Sequence, residues 1–192
     1  MTQDLTTFAL GTKPRILFWD IESDGIAALK ADLGFITHFG FKWQGEKRAR
    51  CLTISEESLR NFDDRELLIQ ASEIFVEADL IVAHFGAVFD RRFCQGRLLV
   101  HNLPPWPMTK MRDTCLILRS VANFSSNRLE HAGDVLGLPK RKYKKKWPDN
   151  WPNWWYRVMR GDMEAVKAMA AYCRDDVYTL EALYDRLRPF DN

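Results

Sequence analysis

Two carboxylates one residue apart, Asp20 and Glu22, end an apolar stretch near the start of the chain. Five of the eight residues 15–22 are Ile, Leu, Phe or Trp, a composition typical of a buried central strand. Side chains two residues apart on a strand point to the same face, so the two acids lie side by side. Two like charges about 4 Å apart repel by roughly 4 kcal/mol at an effective dielectric constant of about 20. The pattern therefore predicts either a retained proton or a bound cation, and we favour the cation because the chain supplies more acids of this kind.

Two further acids stand at positions that could face the same site. Asp90 lies just past the apolar segment 80–83 and near a helix start, and strand ends of open α/β sheets carry active sites. Asp176 follows Tyr172 by four residues on the longest predicted helix, so both share its apolar face and point inward. The simpler alternatives are a helix N-cap for Asp90, a core aromatic residue for Tyr172, and surface acids for Asp20 and Glu22.

Hydrophobic periodicity predicts one mixed sheet with helices on both faces. The segment 33–43 alternates, with Leu33 on the apolar face, and predicts a half-buried strand. Asp63 is a plausible N-cap for the first long helix. The predicted strands are 14–22, 33–43, 49–55 and 80–83, and the predicted helices are 66–77, 90–100, 113–123, 127–136 and 162–187. The order βββαβα followed by helices indicates an α/β protein, without an internal repeat.

Length and composition suit a single domain, 14–192, after a flexible N-terminal arm, 1–13. The four cysteines are dispersed and read as reduced thiols of a cytoplasmic protein. The histidines do not suggest a zinc site. The sequence contains no apolar run of about 18 residues and no basic leader at its start, so we expect no membrane segment.

A basic, tryptophan-rich stretch precedes the long helix. Six of the seven residues 140–146 are basic, and the net charge of +2 therefore leaves −4 for the rest of the chain. The stretch 140–155 reads as irregular and also contains Tyr143 and four tryptophans. Cations neutralise phosphates and exposed aromatic rings stack on unpaired bases, which predicts contacts with a single strand. The alternative is a solvated loop over a local core. The candidate contact residues are Lys144, Lys145, Lys146 and Trp147.

The motifs, in this order, resemble those of a known family. Asp-x-Glu, a distal Phe-Asp and a C-terminal Tyr-x-x-x-Asp are similar to the three motifs of the DEDDy 3′–5′ exonucleases, which have the RNase H-like fold. The resemblance is closest to predicted exonucleases related to the proofreading domain of family B DNA polymerases, and it covers residues 15–189. Ser126-Asn127-Arg128-Leu129 and Gly161-Asp162 also resemble that group.

The resemblance implies a 3′–5′ exonuclease that hydrolyses phosphodiester bonds of single-stranded nucleic acid and releases 5′-monophosphates, with DNA favoured over RNA. It implies two Mg²⁺ or Mn²⁺ ions in a two-metal-ion mechanism. Asp20 would bridge both ions, Glu22 and Asp176 would complete the first site, and Asp90 would hold the second. Tyr172 would orient the attacking water. Ser23 could hydrogen-bond the terminal nucleotide.

Two positions bear on this resemblance. Phe85 stands where relatives usually have Asn, a residue thought to organise the site. Ala171, five residues before Asp176, replaces the His of the sister arrangement and leaves Tyr172 in its role. Two rival functions stay open: a nuclease-like module that binds nucleic acid without cleaving it, and a structure-specific endonuclease on the same fold. The sequence does not identify a protein partner.

Overall fold

The computed structural model describes residues 13–24, 30–139 and 152–191. The predicted N-terminal arm falls outside these residues except for Lys13. Most of the basic stretch, including Lys144, Lys145, Lys146 and Trp147, also falls outside them. The proposed contacts of those four side chains therefore stay predictions.

Five strands form one mixed sheet in the order β3-β2-β1-β4-β5. Strands β1, β2 and β3 form an antiparallel meander, whereas β4 runs parallel to β1 and β5 runs parallel to β4. Strand β1 is thus the central strand, as its apolar composition predicts. The strands are β1 (Ile16–Ser23), β2 (Ile36–Trp43), β3 (Arg50–Thr53), β4 (Leu80–Ala83) and β5 (Lys110–Asp113).

Helices cover both faces of this sheet, so the predicted α/β fold class is confirmed. The helices are α1 (Glu56–Arg60), α2 (Arg65–Val76), α3 (Asp90–Val100), α4 (Thr114–Val121), α5 (Leu129–Val135), α6 (Pro152–Met159) and α7 (Met163–Leu187). Asp162 caps α7 by accepting hydrogen bonds from the amides of Glu164 and Ala165. Among the helices of the described residues, none combines the length and the apolar character needed to cross a membrane.

Alternation along β1 decides which helices its side chains meet. Leu17, Trp19 and Ile21 pack in a cluster with apolar residues of α2 and α3. Phe18 points the other way, into a cluster with Val177 and other residues of α7. Asp20 and Glu22 follow Phe18 at two-residue spacing and therefore lie on the α7 face of the sheet.

Strand β2 differs from the half-buried strand that its alternation predicts. It begins at Ile36, so Leu33 lies before it and is 71% exposed. The polar residues His38 and Lys42 are buried as well, because α7 covers the face that was expected to meet solvent. Lys42 Nζ donates to Glu181 Oε1 of α7 at 2.6 Å, so this buried cation is paired.

Periodicity missed three elements: α1, α6 and β5. The five-residue α1 is too short for a periodic signal. Helix α6 occupies part of the segment read as irregular, and Trp154 and Trp155 are partly buried against the cluster that α6 forms with α7. The predicted cap of α2 is also displaced. Helix α2 follows Asp64, whose carboxylate accepts the Ile36 amide at 2.8 Å.

Candidate metal centre

The carboxylates of Asp20 and Glu22 lie close to α7 because β2 has a glycine beside them. Asp20 pairs with Gly40 across the β1–β2 ladder. A Cβ atom on Gly40 would stand 2.6 Å from Cys173 Sγ of α7. The missing side chain therefore lets α7 approach the sheet, and Cys173 Sγ lies 3.8 Å from Asp20 Oδ2.

Asp90 reaches the same pair from the other side of β1. It is the first residue of α3, and it is buried at 4% exposure. Its carboxylate interacts with the backbone of Ile21, the residue between Asp20 and Glu22. The N-cap position of α3 belongs to Phe89, so the role of a simple N-cap does not describe Asp90.

Tyr172 and Asp176 complete the cluster from α7. The Tyr172 hydroxyl is hydrogen-bonded to the Asp176 carboxylate, one helical turn away. The charge of Asp176 acts on both Asp20 and Glu22. The structure therefore brings the five predicted site residues together from three elements, β1, α3 and α7.

Without cations this cluster retains protons. Burial, reinforced by Asp90, Glu22 and Asp176, raises the pKa of Asp20 well above its usual range. Burial and the charge of Asp176 do the same to the pKa of Glu22. Burial raises the pKa of Asp90 from 3.8 to about 7. Four crowded carboxylates become fully ionised at neutral pH only if positive charge accompanies them, and their oxygens suit hard divalent cations.

The same burial fixes the protonation of Tyr172. Desolvation and the charges of Asp176, Glu22 and Asp20 raise the pKa of Tyr172 above its ordinary value of 10.0. The hydroxyl is therefore neutral at physiological pH and is a poor general base. It donates to Asp176, and its oxygen keeps lone pairs that can accept a hydrogen bond.

Ser23 immediately follows Glu22 and is half-buried. The register of the β1–β2 ladder shifts between Glu22 and Ser23. Such irregularities re-aim side chains next to functional sites. The suggested contact of Ser23 with a terminal nucleotide stays a prediction.

Asp113 is a site-supporting residue that the sequence analysis missed. Its carboxylate accepts hydrogen bonds from the backbone amides of Phe85 at 2.8 Å and Ala87 at 3.0 Å. These bonds hold the loop that leads to Asp90. It also caps α4 through the amide of Cys115 at 3.0 Å. An acid directly before the apolar helical run Thr-Cys-Leu-Ile-Leu is the N-cap signal that could have identified it.

Phe85 occupies a strained position in that loop. Its φ of 64° lies in the left-handed region, which costs a bulky residue energy. The Arg119 guanidinium lies 5.5 Å from the centre of the Phe85 ring. His84 beside it contacts the Thr114 hydroxyl and the Asn127 carbonyl, which is a structural role.

A cavity of about 440 Å³ opens next to this loop. An aromatic ring and two arginines line it, together with short polar side chains that could contact a sugar or a base. The lining residues are His84, Phe85, Cys115, Arg119, Ser126, Asn127, Arg128 and Leu129.

Comparisons with known proteins agree with this architecture. The chain is 38% identical over 77 residues to the PolC-type DNA polymerase III of Ureaplasma parvum serovar 3, a match that covers 40% of this chain and 5% of that polymerase. Its fold is similar to that of the family B DNA polymerase from the archaeon Pyrobaculum calidifontis, with a TM-score of 0.74 at 15% identity. That alignment covers 95% of this chain and 26% of the polymerase.

A family model described as the RNase_H superfamily matches residues 17–188. The match includes all five strands except the first residue of β1, and it includes every acid of the cluster. The chain therefore belongs to the RNase H superfamily.

Proposed function

We propose that this protein is a metal-dependent 3′–5′ exonuclease that hydrolyses single-stranded nucleic acid to 5′-monophosphates. Membership of the RNase H superfamily points to nuclease chemistry in general. The proposed metal-dependent exonuclease activity rests on the convergence of four buried or half-buried carboxylates beside one neutral tyrosine hydroxyl. A cluster of this kind, with raised pKa values and little positive charge of its own, is suited to divalent cations.

Asp20, Glu22, Asp90 and Asp176 would hold two divalent ions, Mg²⁺ or Mn²⁺. Carboxylate oxygens favour these hard ions over softer metals. Such ions supply an activated water and neutralise the charge that grows on the phosphate. Because Asp20 and Glu22 extend from a central strand and Asp90 is the first residue of α3, these carboxylates are held by rigid elements.

Tyr172 would position the attacking water. Its hydroxyl is kept neutral and directed at Asp176, so its oxygen can accept a hydrogen bond from that water. Ala171 offers no side chain that could act as a base in its place. Asp176 would thus act twice, on the ions and on the orientation of Tyr172.

The substrate strand would pass the cavity beside the β4–α3 loop. Arg119 and Arg128 can neutralise phosphates there, and the Phe85 ring offers a stacking face. The two polymerases similar to this chain are DNA polymerases by name, which supports DNA as the first choice of substrate over RNA. The replacement of Asn by Phe85 is the one feature that favours a binding module without catalysis.

A labelled strand distinguishes these functions. Linear DNA and RNA labelled at the 5′ end should be shortened stepwise from the 3′ end with Mg²⁺ or Mn²⁺, and EDTA should stop the reaction. Circular single-stranded DNA should survive, because it offers no end. Cleavage of the circle would indicate an endonuclease, and a gel shift without products would indicate a binding module.

Replacing Asp113 with alanine should lower both stability and nuclease activity. Loss of the α4 cap costs about 0.5–2 kcal/mol, and the loop amides of Phe85 and Ala87 also lose their acceptor. Because that loop leads into Asp90, the rate should fall even at temperatures where the variant is fully folded. Urea unfolding and the labelled-strand assay measure the two effects.

Asp162→Ala is the matched control for this variant. Asp162 likewise caps a helix through two amides, but it lies at the start of α7, away from the acid cluster. It should lose stability while keeping its specific activity. If both variants kept full activity when folded, Asp113 would have no role in positioning Asp90.

Changing Lys144, Lys145 and Lys146 together to alanine tests the basic stretch. If these lysines neutralise phosphates, binding should weaken for every sequence and its salt dependence should become shallower. The slope should fall by about 0.7 for each phosphate of a single strand that the variant no longer neutralises. Measurements of Kd at several salt concentrations with a non-cleavable strand give the slope. An unchanged slope would assign the three lysines to solvent.

A further inference from the structure

One thiol stands directly beside the acid pair, and a second lies next to the first. The potential ligand atoms of Asp20, Glu22 and Cys173 all lie within 4.8 Å of one another. Cys173 is completely buried, and its Sγ lies 3.7 Å from the Asp20 carbonyl oxygen and 3.8 Å from Asp20 Oδ2. Its sulfur is therefore within reach of any ion that the two carboxylates hold.

A second thiol extends this group across the sheet. Gly40 pairs with Asp20 on one side and with Cys51 on the other, so the three residues form a row over β1, β2 and β3. Cys173 sits over the glycine in the middle of this row, and its thiol interacts with that of Cys51. Cys51 is half-buried.

This donor set differs from the one that the proposed nuclease chemistry needs. Carboxylate oxygens alone suit Mg²⁺ and Mn²⁺, whereas thiolates select softer ions. Zinc-class ions take four ligands in a tetrahedron and accept cysteine sulfur together with carboxylate oxygen. Asp20, Glu22 and Cys173 supply two oxygens and one sulfur within 4.8 Å of one another, and Cys51, beside Cys173 but outside that distance from the whole group, is the sulfur that would take the fourth position.

We infer that Cys51 and Cys173, together with Asp20 and Glu22, form a site for a thiophilic divalent cation of the zinc class. Such an ion binds two of the carboxylates that the catalytic Mg²⁺ or Mn²⁺ ions need, and it therefore inhibits the enzyme. The binding site rests on the placement of these four residues and not on the nuclease activity, while its inhibitory consequence rests on the proposed nuclease function.

Cadmium tests the binding directly, because a cadmium–thiolate bond has its own ultraviolet charge-transfer absorption. The metal-stripped protein, kept reduced with a non-thiol reductant, is titrated with Cd²⁺. We expect a band that saturates at one ion per chain. Cys173→Ser should remove most of it, Cys51→Ser should reduce it by about half, and both variants should bind Cd²⁺ at least about tenfold more weakly.

Cys115→Ser is the matched control, because Cys115 is equally buried but lines the separate cavity beside Phe85. Its titration should match that of the parent protein. Serine is close in size to cysteine, and thermal unfolding checks that each variant is folded. If Cys173→Ser fails to fold, the Cys51→Ser titration still decides. A parent without the band, or a band equal in parent and Cys51→Ser protein, would overturn the site.

Inhibition is measured separately, as the Zn²⁺ concentration that halves each protein's own Mg²⁺-dependent rate. This concentration should rise at least about tenfold in both cysteine variants and stay constant in Cys115→Ser. Equal inhibition of all four proteins would refute the regulatory consequence. A Cd²⁺ band in a protein that degrades no nucleic acid would count against the proposed function and would leave the metal site established.

Discussion

Replacing Asp20 with asparagine should reduce Mg²⁺-dependent degradation by about 1,000-fold or more. Asp20 lies at the centre of the cluster, because the charges of Asp90, Glu22 and Asp176 all act on it. Metal ions contribute several kcal/mol to catalysis of this kind, and each 1.36 kcal/mol corresponds to about a factor of ten in rate. Single-turnover digestion of a 5′-labelled strand measures the loss.

The same variant should be more heat-stable than the parent protein when both are measured in EDTA. The amide removes one member of a group of buried like charges and stays close to the carboxylate in shape. Asp185→Asn is the control, since Asp185 is an exposed acid on α7 beyond the cluster. It should change neither property. An Asp20→Asn protein that digests as fast as the parent would refute the proposed metal site.

Local periodicity was sufficient to predict which faces carry the acids. The two-residue repeat of β1 places Phe18, Asp20 and Glu22 on one face of the sheet. The four-residue spacing of Tyr172 and Asp176 places both on one face of α7. Neither inference needs knowledge of a distant residue, so both follow directly from the sequence.

The contacts that position the site depend on partners far away in the chain. Strand β5 is a polar four-residue segment that exists through its pairing with β4, and its last residue, Asp113, holds the loop before Asp90. The close approach of α7 depends on the absence of a side chain at Gly40. Neither feature has a periodic signal, since each is created by tertiary packing.

The burial of β2 also depends on partners that are distant in the chain. His38 and Lys42 occupy positions whose polarity predicts exposure, yet α7 buries them. Their polar groups are accommodated individually: His38 Nε2 bonds the Val166 carbonyl at 2.9 Å, and Lys42 pairs with Glu181. A polar residue therefore predicts an exposed position only where no neighbouring element supplies such hydrogen-bond partners.

Asp90 should contribute stability to the metal-free protein that is lost as the pH rises from about 4 to about 7. Burial of His38, which lowers its pKa to about 4, contributes in the opposite direction over much of this range, so the Asp90 contribution is read from the difference between the parent and Asp90→Asn. Burial raises the folded-state pKa of Asp90 from 3.8 to about 7, so the folded state binds a proton that the unfolded state has already released. The stabilisation from this protonation is complete below the unfolded pKa and disappears as the pH passes through the folded one. A shift of this size corresponds to as much as about 4 kcal/mol in the free energy of unfolding.

Urea unfolding in EDTA at about pH 5 and about pH 8 measures this loss for the parent, Asp90→Asn and Asp185→Asn proteins. Between these two pH values the parent should lose stability relative to Asp90→Asn, whereas Asp185→Asn should follow the parent. Mg²⁺ should stabilise the parent more as the pH rises, because it binds the ionised carboxylates of the folded state. An Asp90→Asn protein with the same pH dependence as the parent in EDTA, or a parent unaffected by Mg²⁺ at the higher pH, would show that the cluster is not the cation site its burial implies.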